Sequence, residues 1–109
     1  MDIDKAKELI LVVDDDQRVC EVLKELLGAL QFSAASAPGG AEALKMLKDK
    51  PYTFLLADMK MPKMNGMELI RRSRENFPNV SVIAMTGYAE EFKYVDIVNA
   101  GANDFVNKP

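Results

Sequence analysis

The chain has 109 residues, room for one domain with one core, and 49% hydrophobic against 28% charged residues is a soluble globular balance that excludes disorder and collagen-like repeats. Fourteen Lys and Arg against seventeen Asp and Glu leave a net charge of −3 and no basic footprint for phosphate backbones, so direct nucleic-acid binding by this domain is not expected. There is no histidine, which removes the commonest general base, and the single cysteine, Cys20, permits neither an internal disulfide nor a zinc set.

The segment from Met1 to Glu8 carries both signs of charge and lacks the apolar core of a signal peptide. No run approaches the roughly 18 apolar residues of a membrane span. A cytoplasmic protein without membrane contact is therefore expected. From Leu9 onward, short apolar runs alternate with stretches of helical period, the pattern of βαβ units around a parallel sheet. The first run, Leu9 to Val13, is unbroken and suits a strand buried on both faces. A helix follows from Gln17 to Leu30, with Val19, Val22, Leu23, Leu26, Leu27 and Leu30 spaced as one buried stripe, and Cys20 reads as a small hydrophobe on that apolar face. A small, Ala-rich strand from Phe32 to Ala37 is expected near a sheet edge. Pro38, Gly39 and Gly40 then lead into a helix from Ala41 to Lys48 with Ala43, Leu44 and Leu47 as its stripe. The third strand, Phe54 to Ala57, ends at Asp58, and a loop containing Pro62 leads to a helix from Gly66 to Asn76 that stops before Phe77-Pro78. Val80 to Met85 reads as strand four, Ala89 to Ala100 as helix four with Gly101 in the C-cap slot, and Phe105-Val106 as the last strand.

In an open parallel α/β sheet the ligand site lies beyond the carboxyl ends of the strands. Strand one ends there in Asp14-Asp15-Asp16, strand three in Asp58, strand four in Thr86-Gly87 and strand five in Asn107-Lys108. Two carboxylates 4 Å apart repel by about 4 kcal/mol at an effective dielectric near 20, so a cation belongs among them. Oxygen donors without Cys or His select a hard cation, and a few carboxylates with room for water suit Mg²⁺ better than Ca²⁺. The Ca²⁺ loop pattern fails, since Arg18 and Val19 occupy positions where it needs an oxygen ligand and Gly. No phosphate-cradling Gly-rich loop follows strand one, which argues against a bound nucleotide or flavin. A carboxylate at such a site, flanked by Thr86 and Lys108, can act as a nucleophile toward phosphorus and form an aspartyl phosphate. Asp16, just before Gln17, reads instead as the N-cap of helix one.

Four motifs in order, Ile10-Leu11-Val12-Val13-Asp14-Asp15-Asp16, Asp58-Met59-Lys60-Met61-Pro62-Lys63-Met64-Asn65-Gly66, Met85-Thr86-Gly87 and Phe105-Val106-Asn107-Lys108-Pro109, resemble those of a response-regulator receiver domain of two-component signalling, the CheY-like family, over essentially the whole chain. The resemblance implies one receiver domain over residues 1–109, an α/β, flavodoxin-like, doubly wound five-stranded parallel sheet of order 2-1-3-4-5. It implies that Asp58 is the phosphoacceptor, modified by a sensor histidine kinase or phosphotransfer protein in a Mg²⁺-dependent reaction. By the same resemblance Asp15 binds Mg²⁺ directly, Asp14 largely through water, and Lys60 through its backbone carbonyl, with Asp58 completing the metal set. Thr86 matches the switch hydroxyl, Phe105 the switch aromatic, and Lys108 the phosphate-contacting lysine, whose bond to Pro109 is commonly cis in the family. Phe105 lacks the hydroxyl of the tyrosine common at that position, so switching there must rely on ring burial. Such a protein is a phosphorylation switch controlling an output, not an enzyme beyond its own phosphotransfer and dephosphorylation.

Two other readings stay open: a haloacid-dehalogenase-type phosphatase with Asp14 as nucleophile, for which Arg18 stands in the wrong position, and a non-phosphorylated receiver-like interaction module. Receiver domains continue after the Lys-Pro pair into a fifth helix, and no residues remain in this chain to build it. The sheet face beside helix one is then expected to be half covered, and either a homodimer or a partner pairs through it or the chain is markedly less stable than one extended by an amphipathic helix.

Overall fold

The computed structural model describes residues 7–87 and 94–107. Its elements in chain order are β1 (Leu9–Val13), α1 (Gln17–Ala29), β2 (Ser33–Ala37), α2 (Gly40–Asp49), β3 (Phe54–Asp58), α3 (Gly66–Asn76), β4 (Ser81–Thr86), α4 (Tyr94–Asn99) and β5 (Asp104–Asn107). All neighbouring strands pair in parallel, in the order β2-β1-β3-β4-β5, the expected doubly wound flavodoxin-like sheet. The apolar runs of β1 and β3 sit inside it because only strands covered on both faces can bury side chains of both parities. The Ala- and Ser-rich β2 lies at one edge, as its composition suggested.

Residues of alternate parity point to opposite faces, and the two faces are packed differently. Leu11, Val13, Leu55, Ala57, Val82 and Ala84 form the larger core with Ala43 and Leu47 of α2, Leu69 and Ile70 of α3, and Ile97 of α4. On the other face Ile10, Val12 and Met85 cluster with Cys20, against which Leu23 and Leu27 of α1 pack. Among the described residues α1 alone contributes a helix to that second cluster. Phe54, Leu56 and Ile83 there are only partly buried and Val106 is 44% exposed, as expected for a half-covered face.

The stripe of α1 departs from expectation. Val22, Leu26 and Leu30 are 46%, 55% and 55% exposed, whereas Cys20 is buried and Leu23 and Leu27 are partly so. At 100° per residue, Leu26 and Val22 lie about 120° and 160° around the helix from Cys20, on one flank of a wide apolar arc whose other edge meets the sheet. The periodicity marks the arc; the neighbours decide how much of it is covered.

Other boundaries move by one or two residues. Phe32 lies outside β2, because its N–H is drawn to the carbonyl of Leu27 at 2.9 Å. The second helix starts at Gly40, β4 runs from Ser81 and includes Thr86, and β5 spans Asp104–Asn107. Residues 88–93, which include most of the first half of the expected fourth helix, lie outside the described residues, as do Lys108 and Pro109. Gly101 follows α4 at φ +117°, the left-handed conformation that makes glycine the usual helix terminator, and the Arg74 side chain packs where a Cβ would stand.

Ser73, on α3, is fully buried, and its Oγ has no hydrogen-bond partner among the described residues. An unmet hydroxyl in an apolar core carries its desolvation cost without return, and Ala is also the better helix former. Ser73→Ala is expected to raise the stability by about 1 kcal/mol in a denaturant melt. A loss of stability would mean that the hydroxyl has a partner in solution.

Candidate metal and phosphoacceptor site

The ends of β1 and β3 lie side by side because Val13 is in register with Ala57, so the residues that follow, Asp14 and Asp58, emerge together. Both are almost fully buried, each 1% exposed, while Asp15 is exposed. One carboxylate oxygen from each of Asp14, Asp15 and Asp58 can be chosen so that all three lie within 4.8 Å of one another. Local hydrogen bonds hold the two buried ones: Asp14 Oδ1 accepts the Asp16 N–H at 2.9 Å, and Asp58 Oδ1 accepts the Lys60 N–H at 3.3 Å. The second bond turns the chain just after the strand and places the Lys60 backbone against the cluster.

Asp16 takes no part in that triad. It is the N-cap of α1, its Oδ1 accepting the Arg18 N–H at 2.9 Å, as its position before Gln17 predicted. Asn65 caps α3 in the same way, accepting the Glu68 N–H at 3.0 Å. Thr86 closes β4, one residue beyond Met85, which is in register with Asp58; it is 8% exposed. Phe105 pairs with Ala84 on β5, and Thr86 lies two residues further on the same face, so hydroxyl and ring occupy adjacent strands above the larger core. The structure thus brings Asp14, Asp15, Asp58 and the Lys60 backbone together. Lys108, the expected phosphate-contacting lysine, and its bond to Pro109 fall outside the described residues.

Three carboxylates this close, two of them withdrawn from water, repel one another and demand a positive charge. The donors are all oxygen, and a third, exposed carboxylate leaves room for water ligands, so the residues present fit Mg²⁺.

Two neighbours of the site could not be identified from spacing. Gly66 approaches so closely that a Cβ there would overlap the backbone carbonyl of Asp58 and stand 2.6 Å from Met59 Cα; its own N–H bonds the Met59 carbonyl at 3.0 Å. Cys20, one helical turn into α1, directs its thiol to the backbone carbonyl of Asp14 at 3.4 Å. Burial, reinforced by the negative charge of Asp14, pushes the thiol pKa up. A raised folded-state value stabilises the protonated, folded form below the unfolded thiol pKa of about 8.5, and this contribution is lost as pH rises through the folded value. Cys20 should therefore react with a thiol reagent at pH 8 at least about tenfold more slowly in the native protein than in denaturant. Equal rates would show that the α1 end of the site opens readily.

Comparison with known proteins places this arrangement. The model of the response regulator receiver domain matches residues 10–109. The chain is 34% identical over 100 residues to the transcriptional regulatory protein ZraR of Klebsiella oxytoca, covering 92% of this chain and 23% of that protein. It is 33% identical over 101 residues to the DNA-binding transcriptional regulator NtrC of Escherichia coli K12, covering 93% and 22%. The chain thus spans less than a quarter of the length of these curated relatives. Among solved structures, a CheY-like response regulator receiver domain protein of Methanospirillum hungatei superposes with a TM-score of 0.86 at 31% identity, over 94% of this chain and 82% of that one. A response regulator receiver protein of Pseudomonas putida gives 0.86 at 32% identity, over 95% and 88%. With the parallel sheet in the same order and an acidic triad at its carboxyl edge, the chain belongs to the receiver domains of two-component response regulators.

Proposed function

We propose that Asp58 is the phosphoacceptor of a Mg²⁺-dependent signalling switch. The observation that carries this reading is the convergence of Asp14, Asp15 and Asp58 within 4.8 Å at the ends of two neighbouring strands, β1 and β3, with Asp14 and Asp58 buried. In the reaction a carboxylate oxygen of Asp58 attacks the phosphorus of a phosphohistidine on a sensor kinase or phosphotransfer protein. An O–P bond forms, the N–P bond breaks, and the imidazole nitrogen keeps the electron pair and leaves as a neutral ring after protonation. Asp15 directly, Asp14 largely through water, Asp58 and the Lys60 carbonyl would hold Mg²⁺, which when bound would supply positive charge to the transferring group. The Lys60 N–H holds Asp58 in place during attack, and Lys108 contacts the phosphoryl oxygens.

Thr86 and Phe105 then act as the switch: the Thr86 hydroxyl turns toward the new phosphoryl oxygens, and the Phe105 ring, packed against the larger core on the same sheet face, moves deeper. The protein acts in the cytoplasm, and its likeness to the transcriptional regulators ZraR and NtrC supports a role as the receiver of a regulator of transcription. The use of Asp16 as a helix cap weighs against a phosphatase reading that needs Asp14 and Asp16 side by side in one site. Incubating the protein with phosphoramidate and Mg²⁺ tests the proposal by mass spectrometry and phosphate release. A stoichiometric, Mg²⁺-dependent phosphoryl adduct on Asp58 is the expected result. Sustained phosphate turnover without an adduct would favour a phosphatase, and no reaction a phosphorylation-independent module.

A further inference from the structure

We propose that the cleft between α2 and α3 docks an acidic segment of a partner protein, anchored by a large apolar side chain. The cleft has a volume of about 380 Å³ and is lined by Leu44, Lys45 and Lys48 of α2, Arg72 and Asn76 of α3, and Phe77 just beyond it. Leu44 and Phe77 are partly buried on the outside of the larger core and form an apolar floor. Lys45, Lys48 and Arg72 are exposed around it, and no carboxylate lines it. Glu68 engages Arg72 at 2.9 Å, but among the described residues neither Lys45 nor Lys48 has an ion-pair partner. In a chain of net charge −3, a cleft whose only charged lining residues are cations runs against the overall field and selects a negative ligand.

The shape selects a chain segment. A second cavity, of about 470 Å³, shares Arg72 and continues between the two helices to Lys63 and Met64; its one carboxylate, Glu68, is the partner of Arg72, so among the described residues the unpaired cations lie at the Lys45 and Lys48 end. The two together follow α2, whose 10 residues are about 15 Å long. An elongated groove with an apolar floor and charged rims is the geometry that receives a short amphipathic helix or extended peptide, the apolar anchor giving affinity and the rim charges giving orientation. A single half-buried aromatic does not make the stacking platform that nucleic acid requires. None of these residues belongs to the Asp14, Asp15 and Asp58 cluster.

The test is a titration of the ¹⁵N-labelled chain with a synthetic hexapeptide, acetyl-Asp-Glu-Leu-Phe-Glu-Asp-amide. Saturable shifts confined to amides of residues 44–48 and 72–77 are expected, with a Kd that rises several-fold between about 50 and 300 mM salt. The double substitution Lys45→Glu and Lys48→Glu, at two exposed positions, should weaken binding at least about tenfold while leaving the thermal melt in place. Replacing Leu and Phe of the peptide by Ala should weaken it comparably. Absence of saturable shifts, shifts elsewhere on the surface, or unchanged affinity in either the doubly substituted protein or the Ala peptide would overturn the proposal. So would phosphatidylserine vesicles perturbing the cleft where the peptide does not.

Discussion

Replacing Asp58 by asparagine is expected to abolish phosphorylation by a small phosphodonor while preserving the fold. An amide oxygen can still accept the Lys60 N–H that Asp58 Oδ1 accepts at 3.3 Å, so the turn after β3 survives. The amide is not a nucleophile toward phosphorus, and the adduct should fall below detection. The substitution also removes one of three carboxylates gathered within 4.8 Å. Two unit charges about 4 Å apart repel by about 1 kcal/mol in bulk water and about 4 kcal/mol at a dielectric near 20. In metal-free buffer the variant should therefore melt above the parent, and Mg²⁺ should raise its midpoint less, because its site has lost a charged ligand. Mass spectrometry reads the first effect and thermal melts with and without Mg²⁺ read the second. An Asp58→Asn protein that still gains a stoichiometric phosphoryl group would place the acceptor elsewhere, with Asp14 and Asp15 next in line.

The second large effect is steric. Gly66→Ala should destabilise the protein by about 3 kcal/mol or more, lowering the melting midpoint by on the order of 10 °C or more. The added methyl meets main chain, not the end of a flexible side chain: it overlaps the Asp58 carbonyl and lies 2.6 Å from Met59 Cα. Neither atom can yield without moving the end of β3 away from β4, to which Met59 N is bonded through the Met85 carbonyl at 3.1 Å. Displacing that segment moves Asp58 out of the carboxylate cluster, so Mg²⁺ affinity should fall together with stability. A Gly66→Ala protein with an unaltered denaturant midpoint would show that the loop after β3 has slack that its contacts do not suggest.

Much of this architecture is legible in the sequence because its determinants are local. Unbroken apolar runs such as Leu9–Val13 and Phe54–Ala57 suit strands shielded on both faces. A helix begins where Asp16 or Asn65 can cap it and ends where Gly101 can adopt a positive φ. The three carboxylates are legible for a topological reason, since parallel strands deliver their carboxyl ends to one edge and a polar residue ending each apolar run must lie there. What depends on neighbours remote in sequence is not legible in this way. The apolar arc of α1 promises one buried stripe, yet Val22, Leu26 and Leu30 stay exposed because among the described residues α1 alone packs on its face of the sheet. Gly66 looks like any helix-starting glycine until β3 passes within contact of it. Lys45, Lys48 and Arg72 look like solvated charges on two separate helices until packing of α2 beside α3 sets them around Leu44 and Phe77. The sequence by itself determined the elements, their order and the edge that carries the acidic residues, because backbone periodicity, capping and strand polarity act over a few residues. The tertiary structure alone decided which apolar surface is covered, where backbone must approach backbone, and which charges share a cleft, because those are properties of distances between segments that no local pattern encodes.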